Sequence, residues 1–324
     1  MRRVKVIYLP LEDQDIRWRD SFVEVFGDRH DTTIYDGTKP IEPQFADVEV
    51  VVDMGGKGMT PEGVAASKKC KLWHVVTVGY DHVDLDITRR AGIPVSNVPG
   101  ATSAPGLANG AVMFMLQIVT KYNETQVSLK ARRMYVPMGN ELEGRILGLI
   151  GFGASSRELA RRAKVFGMQF MIIEPLEIEE AALREYEPVF VGQPDEMDKV
   201  IAEADFVSLH LPLTAETRGI VDARRIGLMK STASFINVAR GDLVDQEALY
   251  GALLDDRIRA IGTDVHAGVV ADPSHPVYQH PGFYALPHVT GTTVGTARRR
   301  AEAALENVNR VAEGLEPKWR VDHL

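Results

Sequence analysis

The stretch RILGLIGFGASS, residues 145–156, decides how this chain is read. The apolar run Arg145–Ile150 predicts a buried strand, Gly151 and Gly153 follow it at once, and amphipathic helical spacing begins near residue 155. In a strand–turn–helix of this kind the first glycine permits the tight turn. The second lets backbone amides approach a pyrophosphate, whose charge sits at the helix N-terminus. Ser156 stands where a third glycine would allow close helix–strand contact, and it is small enough to do the same. Alone, the pattern is weak, and the bland alternative is a glycine turn beside a solvated glutamate. Glu174 strengthens it by ending the next apolar run roughly twenty residues after Gly153. A carboxylate there accepts from both ribose hydroxyls and repels a 2′-phosphate. No Lys or Arg follows before Arg184, which favours NAD over NADP.

Outward from this stretch, short apolar runs alternate with amphipathic stretches of helical length, the pattern of parallel sheets layered with helices. Upstream strands are expected at Val4–Leu9, Val48–Asp53, Leu72–Val78 and Pro94–Val98, with helices at Arg17–Phe26 and Pro61–Lys69. The apolar helix expected at Gly106–Thr120 would cross between two cores. Downstream strands are expected at Gln169–Glu174, Phe206–Leu211, Ala233–Val238, Arg259–Asp264 and Phe283–Leu286. Helices fall near 155–166, 195–204, 222–230 and 245–255. In Thr293–Glu313, residues Ala301, Ala304, Leu305, Val308 and Val311 recur at helical spacing. That helix is expected to pack back on the first series and make the first domain discontinuous.

The chain has 324 residues, 45% of them hydrophobic, and 37 Lys+Arg against 45 Asp+Glu give a net charge of −8. This composition fits a folded chain of about two domains and speaks against broad electrostatic binding to nucleic acid or anionic lipid. The one cysteine, Cys70, excludes an internal disulfide framework and suits a reducing cytoplasm. The opening MRRVKVIYLP breaks at Pro10, too short for a signal or spanning segment. No histidine pair has HExxH spacing or joins a dense ligand cluster, so no metal is expected.

Three further segments carry chemistry. Asn237-Val238-Ala239-Arg240-Gly241 follows the run ASFI, beyond the carboxyl end of a strand, where open α/β sheets bind ligands. The Arg240 guanidinium can hold a carboxylate bidentately and polarise an adjacent carbonyl; a surface salt bridge is the ordinary alternative. Pro287-His288-Val289-Thr290-Gly291 offers an imidazole that can exchange a proton near neutral pH. His74, inside an apolar strand, reads instead as a core residue, and His210 as a structural one. The glycine of Thr77-Val78-Gly79-Tyr80 lets backbone amides bind a small anion, though a plain strand-to-helix turn capped by Asp84 explains the segment as well.

Together these segments resemble the D-isomer-specific 2-hydroxyacid dehydrogenase family, from about Leu72 to Gly314. VGYDHVDL, AGIPVSN, ELEGRILGLIGFG, ADFVSLHLPLTAETRGIV, MKSTASFINVARGDLVDQEAL, IGTDV and LPHVTG stand in family order. The resemblance implies two Rossmann-like domains with parallel sheets: a flavodoxin-like substrate domain, 1–101 completed by 292–324, and an NAD-binding domain, 102–291. It also implies a cleft between them and a homodimer joined through the cofactor domains. It places the pyrophosphate on Ala154 and Ser155 and the adenosine ribose on Glu174. Further NAD contacts fall to His210, Leu211, Pro212, Thr217, Val238, Ala239, Asp264, His288 and Gly291. The substrate carboxylate would meet Val78, Gly79 and Arg240, and His288 would exchange the proton while nicotinamide exchanges hydride at C2.

The chain departs from the family after Asp264-Val265. Members carry F-x-x-E-P there, with a glutamate that supports the catalytic histidine; an ungapped match puts Val269 and Val270 at Glu-Pro, whereas a gapped one aligns Asp272-Pro273. The ungapped match needs no insertion. It removes the carboxylate partner of His288, unless Asp272, His266 or a backbone carbonyl serves. The family's V-A-E becomes Leu107-Ala108-Asn109. The activity expected is interconversion of a small 2-oxo acid and its D-2-hydroxy acid. The alternatives are a noncatalytic NAD-binding regulatory protein and a relative whose substrate needs no proton donor. In the loop Met54–Met59 three glycines are expected to leave room for substrate bulk, and Lys57 to meet a second negative charge or only solvent.

Overall fold

A computed structural model describes residues 2–11, 14–56, 58–268 and 272–323. The chain divides into two compact units: residues 1–102 with 292–324, and residues 103–291. Elements are numbered in chain order.

In the first unit the strands β1 (Lys5–Leu9), β2 (Asp31–Ile34), β3 (Val50–Asp53), β4 (Leu72–Val75) and β5 (Val95–Ser96) form one parallel sheet in the order 2-1-3-4-5. That is the flavodoxin-like doubly wound order. The helices are α1 (Arg17–Phe26), α2 (Ile41–Phe45), α3 (Pro61–Ala66), α4 (Leu85–Ala91) and the last of the chain, α12 (Val294–Ala312). Helices on both faces bury every residue of β3 and β4, which is why those strands read as unbroken apolar runs. On one face Tyr8, Phe22, Val50 and Val52 pack with Ala301, Ala304 and Val308 of α12, so the C-terminal helix completes the N-terminal core, as its spacing predicts. On the other face Ile7, Phe45, Val51 and Trp73 form the second layer.

The second unit holds β6 (Ile146–Ile150), β7 (Gln169–Ile173), β8 (Phe190–Gly192), β9 (Phe206–Leu209), β10 (Ser234–Asn237), β11 (Ala260–Thr263) and β12 (Phe283–Ala285). All are parallel, in the order 12-11-10-9-6-7-8. Its helices are α5 (Ala104–Val119), α6 (Tyr122–Lys130), α7 (Ala154–Val165), α8 (Glu180–Tyr186), α9 (Met197–Glu203), α10 (Ala223–Ile226) and α11 (Gln246–Leu254). Leu147 and Leu149 of β6 face a core with Phe114 of α5 and Leu159 of α7, while Ile150 faces Val200 and Ile201 of α9. Strand order reverses at β6, which has β7 on one side and β9 on the other. The crevice beyond their carboxyl ends is where such sheets take a ligand.

Candidate cofactor and active site

The loop after β6 is shaped by what a side chain would strike. Gly151 has φ +89°, and a Cβ on it would lie 2.8 Å from the His210 carbonyl oxygen. Gly153, the N-cap of α7, would meet nothing within 4 Å. No side-chain hydrogen bond caps α7, so the positive end of its dipole has no capping side chain from its N-cap residue. Ser156 is wholly buried and its Oγ has no hydrogen-bond partner; its small size is what the position uses. Ser155 Oγ lies 3.0 Å from His210 Nδ1, and Ser208 Oγ lies 3.0 Å from Nε2. Burial pushes His210 down to about 3, so the ring stays neutral and meets the two hydroxyls with one donor and one acceptor.

Glu174 follows β7, half-buried. Its Oε2 accepts the Phe152 amide at 2.6 Å and its Oε1 that of Leu176 at 3.3 Å. The carboxylate is thereby held against the glycine turn. One cation was missed in sequence: Arg157, in the first turn of α7, stacks over the Phe152 ring at 5.0 Å. It is engaged by Glu179 (2.7 Å) and the Phe152 carbonyl (3.0 Å). Beyond β9, Thr217 donates to the Pro212 carbonyl (2.7 Å) and folds the Leu211–Thr217 turn on itself. An open cradle at Gly153, an uncapped helix start and a carboxylate beyond the neighbouring strand fit a dinucleotide.

The turn after β10 is closed by Asn237, whose Oδ1 accepts the Ala239 amide (3.0 Å) and whose Nδ2 donates to the Arg240 carbonyl (2.8 Å). Val238 is buried there, and Ala239 and Arg240 are half-buried. At Gly241 a Cβ would fall 2.1 Å from the His266 carbonyl carbon, so the turns after β10 and β11 meet backbone to backbone. After β12, His288 is exposed and left-handed, with φ 59°. Asp264, wholly buried, accepts the amides of Val289 (2.7 Å) and Thr290 (3.0 Å) and the Thr290 hydroxyl. The Thr290 methyl packs on Gly110 of α5, and half-buried Gly291 ends the unit.

In the first unit, Asn97 holds the Val78 carbonyl and Thr77 Oγ1 the Gly79 carbonyl, each at 2.7 Å. Among the described residues the amides of Val78 and Gly79 donate no hydrogen bond. Asp84 caps α4. The loop after β3 corrects the expectation of room. A Cβ on Gly55, Gly56 or Gly58 would lie 2.8, 2.6 or 2.0 Å from Leu11, Val83 or Leu9, so these glycines serve close packing. Lys57 lies outside the described residues. Asp53, buried beneath this loop, accepts from Trp73 Nε1 at 2.9 Å, and burial pushes its carboxyl up to about 6. His74 is core, as expected, with Nδ1 3.3 Å from Asn307 Nδ2.

Residues 112–290 match the model of the D-isomer specific 2-hydroxyacid dehydrogenase NAD-binding domain. The chain belongs to this family of NAD-dependent oxidoreductases. It is 33% identical over 268 residues to the hydroxypyruvate reductase of Thermotoga maritima, covering 81% of this chain and 84% of that one. It is 30% identical to the glyoxylate reductase of Korarchaeum cryptofilum, with 83% and 81% covered. The D-lactate dehydrogenase of Aquifex aeolicus, solved with NAD and lactic acid, superposes with a TM-score of 0.79 at 25% identity, covering 95% and 96%.

Of the segment after β11, where the sequence is expected to depart from the family's F-x-x-E-P, Val269 and Val270 lie outside the described residues. The two side chains considered as substitutes for the glutamate are placed. Asp272 is exposed, and its Oδ1 accepts the Ser274 amide (2.9 Å) and hydroxyl (2.6 Å). Those bonds hold its carboxyl below the usual range. His266 is buried, with Nε2 on the Leu286 carbonyl (3.1 Å) and Nδ1 facing the Tyr278 hydroxyl (3.5 Å).

Proposed function

We propose that this dehydrogenase interconverts a small 2-oxo acid and its D-2-hydroxy acid, using Arg240 to hold the substrate carboxylate and polarise its carbonyl, and His288 to exchange the proton. The observation that carries this reading is the sharing of one parallel sheet's carboxyl edge: the glycine loop follows β6, Arg240 follows β10 and His288 follows β12. Relatives named for hydroxypyruvate and glyoxylate support a small substrate. On this reading Ala154 and Ser155 hold the pyrophosphate, Glu174 the adenosine ribose, and the strand-end turns from His210 to Thr217 and at Val238–Ala239 the rest of NAD. Bound nicotinamide would supply the hydride that C2 gains on reduction, as NADH, and take up the hydride that C2 loses on oxidation, as NAD+. Arg240 pairs with the carboxylate in two charge-assisted bonds and draws electron density from the C2 oxygen. The His288 imidazolium gives its proton to that oxygen as the alcohol forms, and the neutral ring recovers it in reverse. Val78 and Gly79 offer two undonated amides as further anion contacts.

We also propose a homodimer joined through the cofactor domains. Tyr122, Val127, Leu129, Met134, Tyr135 and Met138 expose apolar surface along one short segment, with Tyr135 98% exposed, more than a lone chain usually shows to water. The cytoplasm suits the single free thiol.

The test is NADH oxidation against a panel of 2-oxo acids across a wide pH range, with Arg240→Ala beside the parent. Loss of two charge-assisted bonds, each about 1.5–3 kcal/mol, predicts a fall in kcat/KM of roughly a hundredfold to ten-thousandfold with the fold intact. Unaltered turnover in the variant would sink the assignment. NADH binding without turnover on any acid would favour the noncatalytic reading, for which Val269 in place of the glutamate is the support.

A further inference from the structure

His288 sits in a backbone conformation that L-residues adopt at a cost, and such strain persists only where neighbours over-determine it. Its C-terminal side is fixed by Asp264, which takes the amides of Val289 and Thr290. Its N-terminal side is fixed by a second side chain from the same strand exit. His266 Nε2 lies 3.1 Å from the carbonyl oxygen of Leu286, two residues before His288. A carbonyl only accepts, so Nε2 carries the hydrogen and Nδ1 is left with a lone pair. The Tyr278 hydroxyl, 3.5 Å from Nδ1, is placed to donate to it, and the two rings stack with centroids 6.4 Å apart. The backbone contact at Gly241 holds the His266 carbonyl from the β10 side.

We infer that His266 is a positioning residue: through Tyr278 on one nitrogen and the Leu286 carbonyl on the other, it sets the left-handed backbone that presents His288. It does not touch the reacting atoms. This inference rests on the proposed role of His288 for its catalytic consequence, though not for its structural one.

His266→Phe keeps the ring and its stacking on Tyr278 and deletes the donor. His266→Gln keeps an amide nitrogen able to reach the same carbonyl. Hydrogen exchange of the peptide spanning Leu286–Thr290 reads the geometry without turnover, and NADH fluorescence checks that the cofactor still binds. The Phe variant is expected to exchange these amides roughly tenfold faster and to lose about tenfold in kcat, with KM for NADH unchanged; the Gln variant restores both. Unchanged exchange in His266→Phe overturns the inference whatever the activity. Equal losses in Phe and Gln also overturn it, because the hydrogen bond would then not be what matters. If the parent turns over no 2-oxo acid, the reaction proposed above fails, while the exchange result still decides the role of His266.

Discussion

Replacing Asp264 with asparagine probes the most heavily used side chain around the candidate site. The wholly buried carboxylate accepts three hydrogen bonds, from the amides of Val289 and Thr290 and from the Thr290 hydroxyl. Asparagine has nearly the same shape but only one acceptor oxygen, and its NH2 must face at least one amide that now has nowhere to donate. The hydroxyl can turn and accept instead, so the net loss is one charge-assisted amide bond plus one buried, apposed pair of donors. That costs about 2–3 kcal/mol. For a unit of this size each kcal/mol moves the midpoint by about 2–4 °C, so the second unit's transition should fall by about 5–10 °C in scanning calorimetry. Thr290→Ser keeps the hydroxyl and removes only the methyl on Gly110, and should cost about 1 kcal/mol. A shift of under about 1 °C in Asp264→Asn would falsify the claim that this carboxylate holds the His288 segment.

Gly153→Ala should leave thermal stability nearly unchanged, since its Cβ meets nothing, yet weaken NADH binding in calorimetric titration; Gly151→Ala should lower stability as well, through its positive φ and the His210 carbonyl. Glu174→Gln should reduce the preference for NADH over NADPH by roughly tenfold in paired titrations, because the repulsion of a 2′-phosphate goes with the charge. Asp53 titrates in the fold near 6, above its value of 3.8 in the unfolded chain, so the native state binds more protons between these pH values and loses stability as pH rises through them. His74 and His210, both pushed down to about 3, act in the opposite sense, with stability lost as pH falls below 6.5. Asp53→Asn keeps an acceptor for Trp73 Nε1 but turns its NH2 toward the Gly58 amide, so the pH dependence is what is predicted: the variant should gain on the parent by up to about 3 kcal/mol as pH rises from about 3 to about 7 in chemical denaturation. A constant difference across that range would refute the assignment.

The elements that sequence made legible are those whose residues are buried on both faces. β3, β4, β6, β9, β10 and β11 sit inside their sheets, so almost every position is apolar or small. β2 and β8 are not legible because they face solvent: Asp31–Ile34 is largely exposed and Phe190–Gly192 only partly buried, so neither carries an apolar run, whereas the other two edge strands, β5 and β12, are buried and do. α6 was missed for a related reason, since it buries Ser128 but leaves Val127 and Leu129 in solvent. Of the proposed site, the groups assigned a role through residue type (Glu174, Arg240, His288) are visible in the chain. The groups that act through backbone geometry are not. Nothing in Pro287-His288-Val289 announces a left-handed imidazole, and nothing in His266 announces that its ring grips the Leu286 carbonyl.

Glycine shows this limit most clearly. Gly151 and Gly153 stand two apart in one motif, but a carbonyl already fills the space beside the first, whereas a Cβ on the second would meet nothing, space that the proposed reading leaves to the cofactor. Gly55, Gly56 and Gly58 invite the second explanation from sequence and obey the first, with Leu11, Val83 and Leu9 packed where a side chain would go. The described positions of the Met54–Met59 loop are buried or half-buried, so the loop is set by its own core, and substitution at Leu9, Leu11 or Val83 should reshape it. Gly241 follows the same logic, because any side chain there would drive the β10 turn away from His266. That contact couples the turns after β10 and β11, so the Arg240 turn is braced on the backbone of His266, whose side chain in turn reaches the Leu286 carbonyl before His288.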